Sequence, residues 1–280
     1  MSVQLPVLYL SHGAPTFALE PGVIGARLVE LGRRLPSPQA VLVISPHWMS
    51  REKILVTTVS HPETLHDFGG FPSALYQIRY PAPGAPSFAH KTIALLRDAG
   101  WHAEADPQRG LDHGAWVPLY HLLPDAQTPV FQVSLPYPID PADALRLGKA
   151  LSPLRDEGVQ IVTSGSLTHN LRELGPDHGN DARYALEFTH WVRHALKSGD
   201  ARQLLPAYRR LAPHAVRAHP TEEHFLPLLI ALGASATDDP VTVIEGEITY
   251  GVLSMESYLF GKVGFDTTFL SESMPSSPLS

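Results

Sequence analysis

The sequence predicts a single α/β domain, with a central, mostly parallel sheet flanked by helices. Three observations carry this. Residues 7–10 (VLYL), 41–44 (VLVI), 130–135 (VFQVSL) and 159–163 (VQIVT) are short apolar runs without a regular polar alternation, as expected of strands buried on both faces. Segments of helical period separate them, so strands and helices alternate. No repeat, linker or low-complexity run divides the 280 residues.

Composition narrows the class. With 44% hydrophobic residues, the chain buries a core without staples. It has no cysteine, which excludes disulfides, thiolate catalysis and cysteine-ligated zinc. A net charge of −7 without a basic run argues against nucleic-acid binding. No apolar stretch is long enough to span a bilayer, and the N-terminus lacks a basic leader. A soluble cytoplasmic protein is expected. The 27 prolines imply many loops, and the 15 histidines invite a search for a metal.

The elements follow in order. The strand at 7–10 runs into Ser11-His12-Gly13-Ala14-Pro15, and the strand at 41–44 into Ser45-Pro46-His47-Trp48. Pro46 cannot donate to a ladder, so that strand is expected to end there. His12 and His47 then stand at the carboxyl edge of the sheet, where open α/β folds place their ligands. Between them, 22–35 reads as a helix with Val23, Leu28, Leu31 and Leu35 on its apolar side. Strands are expected at 54–59 and 75–80, around an irregular loop at 61–72 (HPETLHDFGGFP), with a helix at 86–99 closed by Gly100. Asp112 precedes His113 and an apolar helix through Leu119, Leu122 and Leu123; it is either that helix's cap or a substrate contact. Asp140-Pro141 opens a helix with Ala144, Leu147, Leu151 and Leu154 on its buried face.

The strand at 159–163 ends in Ser164-Gly165-Ser166-Leu167-Thr168-His169, a third strand leading to a histidine. His190 and His194, spaced i, i+4 in a helix at 181–197, read as surface or packing residues, and 201–211 as a further helix. His224 sits just ahead of a helix at 226–232, because Pro227 would break one begun earlier. Residues 241–248 and 250–254 are expected to close the sheet as a hairpin around Gly251. Residues 1–265 form the domain and 266–280 a polar tail.

Histidines after strands suit a metal held by nitrogen and oxygen ligands, although each could be a satisfied structural residue. A serine hydrolase is disfavoured, because Ser164-Gly165-Ser166 is not a nucleophile elbow.

Seven motifs occur in order: SHGAP (11–15), SPHW (45–48), HDFGGFP (66–72), YPAPG (80–84), DHGAW (112–116), SGSLTHNLR (164–172) and PTEEHFLPL (220–228). In this the chain resembles the class III extradiol ring-cleavage dioxygenases of the LigB type, most of all the DOPA 4,5-dioxygenase-like branch. The resemblance implies a mixed central sheet with a metal site at the carboxyl edge of its strands. It implies His12, His47 and His224 as metal ligands, His169 as catalytic acid/base and His113 as a catalytic pocket histidine. The better-known branch uses two histidines and a glutamate; here the motif favours His224 over Glu223. The implied cofactor is one divalent metal, Fe(II) for catalysis, with Zn(II) equally at home among three histidines. The implied partners are a catechol and O₂, with no nucleic acid and no membrane; a homo-oligomer is left open. Trp48, Asp67 and Trp116 are candidates for contact with substrate, with Tyr76 and the 61–72 loop also candidates for the pocket wall. The rival readings are a zinc-dependent hydrolase and a silent metal- or catechol-binding protein.

Overall fold

A computed structural model describes residues 4–175 and 183–271. Eight strands form one sheet in the order β4-β3-β5-β2-β6-β1-β10-β7. The strands are β1 (Val7–Ser11), β2 (Ala40–Arg51), β3 (Ile54–Thr57), β4 (Ala103–Asp106), β5 (Val130–Tyr137), β6 (Val159–Gly165), β7 (Val241–Ile244) and β10 (Ser257–Phe260). The four central neighbours β5, β2, β6 and β1 run parallel. Antiparallel pairing enters on both sides, at β3–β5 and at β1–β10–β7.

The apolar runs are buried on both faces, as their lack of alternation predicts. Val7, Tyr9, Ala40, Leu42 and Ile44 face one core layer, with helices α2 (Pro86–Asp98), α4 (Pro141–Leu151), α5 (Arg183–Lys197) and α9 (Leu226–Ala234). Leu8, Leu10, Val41 and Val43 face the other, with α1 (Gly22–Arg34) and α3 (His113–Leu122). The continuous helix expected at 201–211 is broken into two one-turn helices, α6 (Ala201–Leu204) and α7 (Tyr208–Leu211), by a 3-10 turn at Leu205–Ala207 that holds Pro206, and a further one-turn helix, α8 (Ala215–Ala218), follows. Every residue of α9 is buried, as for a helix apolar all round.

Local signals account for the helix ends. Asp140 accepts from the Asp143 N–H at 2.7 Å, and Pro141 occupies the first turn. Asp112 caps α3 by accepting from Ala115 N–H at 3.2 Å. Gly158, at φ 77°, closes the turn after α4.

Several expectations are corrected. β2 does not end at Pro46 but continues to Arg51, its pairing with β5 shifting register between Ser45 and Met49. The irregularity absorbs the missing proline N–H and re-aims His47. Residues 75–80 are not a strand: a 3-10 turn at Ser73–Gln77 leads into coil. On α1 it is Ile24 that is buried, while Val23 is exposed. The hairpin around Gly251 exists as β8 (Ile248–Thr249) and β9 (Leu253–Ser254), but it stands apart from the main sheet. That sheet is completed by β10, whose three apolar residues were too few to mark it in the sequence. Packing extends past residue 265: Leu270 is fully buried and Arg34 stacks over Phe269. The expected helix start at Asp181 and the tail beyond 271 lie outside the described residues. Among the described residues, no helix is long and apolar enough to cross a membrane.

Candidate active site

Five histidines from five chain segments meet at the carboxyl edge of the parallel strands. His12 follows β1, its N–H extending the β1–β6 ladder to Gly165 O at 2.9 Å. His47 rides the irregular stretch of β2, with its N–H on Ser45 Oγ at 3.2 Å. His113 is the first residue of α3. His169 leaves the loop after β6, its N–H on Ala218 O at 2.8 Å. The His224 carbonyl accepts from Ser166 N–H at 3.0 Å, just before α9.

Two glycines permit this convergence. A Cβ on Gly165 would lie 2.5 Å from His224 O, and one on Gly114 would lie 2.2 Å from Ser45 Oγ and 3.0 Å from His47 Cδ2. The glycines of SGS and DHGAW therefore serve close approach of chain segments.

The rings are tied from behind. His12 Nδ1 lies 2.8 Å from Ser164 Oγ, His113 Nδ1 3.0 Å from Asp67 Oδ1, and His224 Nδ1 3.1 Å from Glu223 Oε1. A carboxylate can only accept, so Asp67 and Glu223 fix the proton of a neutral His113 or His224 on Nδ1. His12 Nε2 and His47 Nε2 lie 3.0 Å apart. His224 Nε2 is buried with no hydrogen-bond partner. An orphaned ring nitrogen among others tied back through Nδ1 is the arrangement expected of metal-ligating histidines, so the donor set fits a divalent metal.

Burial, reinforced by neighbouring histidines, holds His12 and His224 well below the usual imidazole pKa. Burial lowers His47 to about 3 and His169 to about 4. These rings are neutral at neutral pH, with lone pairs available. For Asp67, the upward push of burial is outweighed by hydrogen bonds from His113, and its pKa falls to about 2.

Two adjacent ligand sets are present. The ligand atoms of His12, His47 and His113 lie within 4.8 Å of one another, as do those of His169, Glu223 and His224. His224 joins the sets: its ring centroid is 5.6 Å from His12 and 5.1 Å from His47.

A cavity of about 270 Å³ opens over His12, His47, His113 and His169. Trp48, Asp67 and Trp116 do not line it. Trp48 is buried against Arg109, 5.1 Å from ring to guanidinium. Trp116 is fully buried, its Nε1–H on Leu65 O at 2.9 Å. Asp67 stands behind His113. Tyr76 reaches the wall only indirectly, 5.3 Å from the Phe68 ring. The walls are instead Phe68, Phe71, Leu171, Leu174, Tyr250 and Leu253, from loops whose sequence signal was only glycine-rich irregularity. A larger cleft of about 540 Å³, lined by Arg51, Lys53, Trp101 and Tyr137 among others, shares no residue with the histidine cavity.

This site can be compared with known proteins. Residues 23–261 match the family described as the catalytic LigB subunit of aromatic ring-opening dioxygenase. The chain belongs to the LigB family. Among relatives of this LigB-type extradiol dioxygenase is the 4,5-DOPA dioxygenase extradiol of Beta vulgaris, 38% identical over 256 residues, which are 90% of this chain and 95% of the relative. The protein of the same name from Escherichia coli K12 is 38% identical over 263 residues, 93% and 96% of the two chains. A crystal structure of an uncharacterized Escherichia coli K12 protein superposes with a TM-score of 0.75 at 33% identity, covering 92% of this chain and all of that one.

Proposed function

We propose that this dioxygenase opens the ring of a single-ring catechol beside its hydroxyl pair, using one divalent metal held by His12, His47 and His224. The observation that carries the ligand set is the buried, partnerless Nε2 of His224, on a ring whose centroid is 5.6 Å from that of His12 and 5.1 Å from that of His47. His113 competes on proximity. Its ring, however, lies over that of His47 at 3.8 Å with only 39° between planes, so the two present faces to each other, whereas His224 is steeply inclined to His47 at 73°. Glu223 supports the site by orienting His224.

Held by these residues, Fe(II) would supply the Lewis-acid and one-electron chemistry that couples a catechol to O₂. The residues of the chain do the rest. His169, in the cavity wall and neutral, accepts a catechol proton, a contribution of about 10²–10⁴ in rate for a positioned base. His113, its Nδ1 proton held by Asp67, offers Nε2 as acceptor for the second catechol proton and returns it to oxygen gaining negative charge. Phe68, Phe71 and Leu171 keep water from the ring. The reaction balances without an external reductant: catechol, C₆H₆O₂, and O₂ become 2-hydroxymuconic semialdehyde, C₆H₆O₄, as one ring C–C bond and the O–O bond break.

Oxygen uptake tests this. Protein reconstituted anaerobically with Fe(II) is offered catechol, protocatechuate, caffeate and L-DOPA, the last being the substrate in the relatives' names, with zinc-loaded protein as control. Uptake with iron alone, together with a yellow ring-opened product, is expected. Full iron occupancy without uptake on any catechol overturns the proposal and directs hydrolase assays to the zinc form.

A further inference from the structure

The walls of the histidine cavity carry information about the substituent on the ring. Among the described residues, no Lys, Arg, Asp or Glu lines it. The charged side chains nearby lie behind or outside that lining, the exposed Arg172 of the mouth turn among them. Asp67 and Glu223 stand behind His113 and His224. In the turn at the mouth, Glu173 accepts from Arg217 Nε at 2.9 Å and Asn170 Nδ2 at 3.0 Å, so its carboxylate is occupied. The same turn presents Leu171 and Leu174 to the cavity, although they are 55% and 46% exposed. The one wall hydroxyl, of Tyr250, is taken by Thr16 Oγ1 at 2.6 Å.

Building on the ring-cleavage reading, we infer that the preferred substrate is a catechol bearing a short neutral hydrocarbon arm rather than a zwitterionic or carboxylate one. A charged arm would leave water without a partner among these residues, which is costly. A hydrocarbon arm would cover Leu171, Leu174 and Leu253 and remove their apolar surface from water. The volume sets the size. An apolar cavity of ~150 Å³ holds benzene, so about 270 Å³ takes one ring and a short arm, not a second ring system.

4-Propylcatechol and L-DOPA are a matched pair, since both arms carry a three-carbon chain and only one arm is charged. The test measures kcat/KM of the Fe(II) enzyme for 4-methyl-, 4-ethyl- and 4-propylcatechol, L-DOPA and protocatechuate. Calorimetric Kd values for the same ligands on zinc-loaded protein are measured in parallel. Each added methylene is expected to improve kcat/KM and Kd about fourfold, and 4-propylcatechol to exceed L-DOPA about tenfold or more. Leu174→Lys, at a rim position, is expected to shift the ratio towards protocatechuate about tenfold. Equal or better use of L-DOPA, or a ratio unmoved by Leu174→Lys, overturns the inference while leaving ring cleavage intact. Tight binding of 4-propylcatechol by the zinc form with no turnover by the iron form keeps the inference and overturns the dioxygenase chemistry. Binding of neither arm class overturns the inference.

Discussion

His169 lies flat on His224, ring centroids 3.4 Å apart and planes 10° from parallel. One ring is tied through Nδ1 to Glu223; the other comes from a loop anchored at Ala218. The stack sets the proposed proton acceptor against a proposed metal ligand, and it separates their roles experimentally.

His169→Ala is expected to retain metal at one per chain and to lose about 10²–10⁴ in kcat, with KM little changed. Elemental analysis and steady-state oxygen uptake on the same preparation check this. Loss of metal would mean that His169 is itself a ligand.

His224→Ala and His113→Ala divide the two adjacent ligand sets. The first is expected to abolish stoichiometric metal binding, and the second to keep it while slowing turnover by about 10²–10³ for a lost oxyanion donor. The reverse pattern in metal content would assign the third ligand to His113.

Removing the metal should lower stability by linkage. At free metal a hundred times Kd, binding adds about 2.7 kcal/mol, or roughly 5–10 °C in Tm for a chain of this size. Thermal denaturation with and without a chelator reads the shift, which should vanish in His224→Ala.

Gly114→Ala places a methyl 2.2 Å from Ser45 Oγ and 3.0 Å from His47 Cδ2. Overpacking of this kind costs about 1–3 kcal/mol. Because the strain falls on His47, metal affinity should drop as well. Urea titration and metal calorimetry measure the two effects separately.

Asp67→Asn should leave the fold intact and lower activity or metal affinity about 10–100-fold, as for groups that orient a site histidine. It also has a pH signature. The folded pKa of about 2 lies below the ordinary 3.8, so the Asp67 carboxylate contributes stability that is fully present above about pH 4 and lost as pH falls towards 2. The stability gap between wild type and Asp67→Asn should therefore narrow over that acid range, and a constant gap would argue against the hydrogen bond from His113.

What was legible in the sequence was whatever a local pattern encodes. Continuous β-branched runs marked strands buried on two faces, and Asp140-Pro141 marked a helix start. The repeated strand-then-histidine pattern brought out His12, His47 and His169. Local patterns also misled where tertiary pairing prevailed. Pro46 argued for a strand end, but β5 accommodates it through a register shift. Residues 75–80 alternate like a strand, yet Leu75 and Tyr80 are buried from a 3-10 turn and the coil after it.

Local pattern and ordered motifs were enough for the α/β class, the order of most elements and the five histidines that meet at the sheet edge. The folded chain alone places Asp67 behind His113 rather than against substrate. Only it decided that Trp48 and Trp116 are packing residues, and that the leucines of the 171–174 turn form the cavity wall. The physical reason is range. Strands and helices arise from neighbours a few positions apart, whereas a cavity wall is assembled from loops more than a hundred residues apart, whose side-chain directions are set by what they pack against.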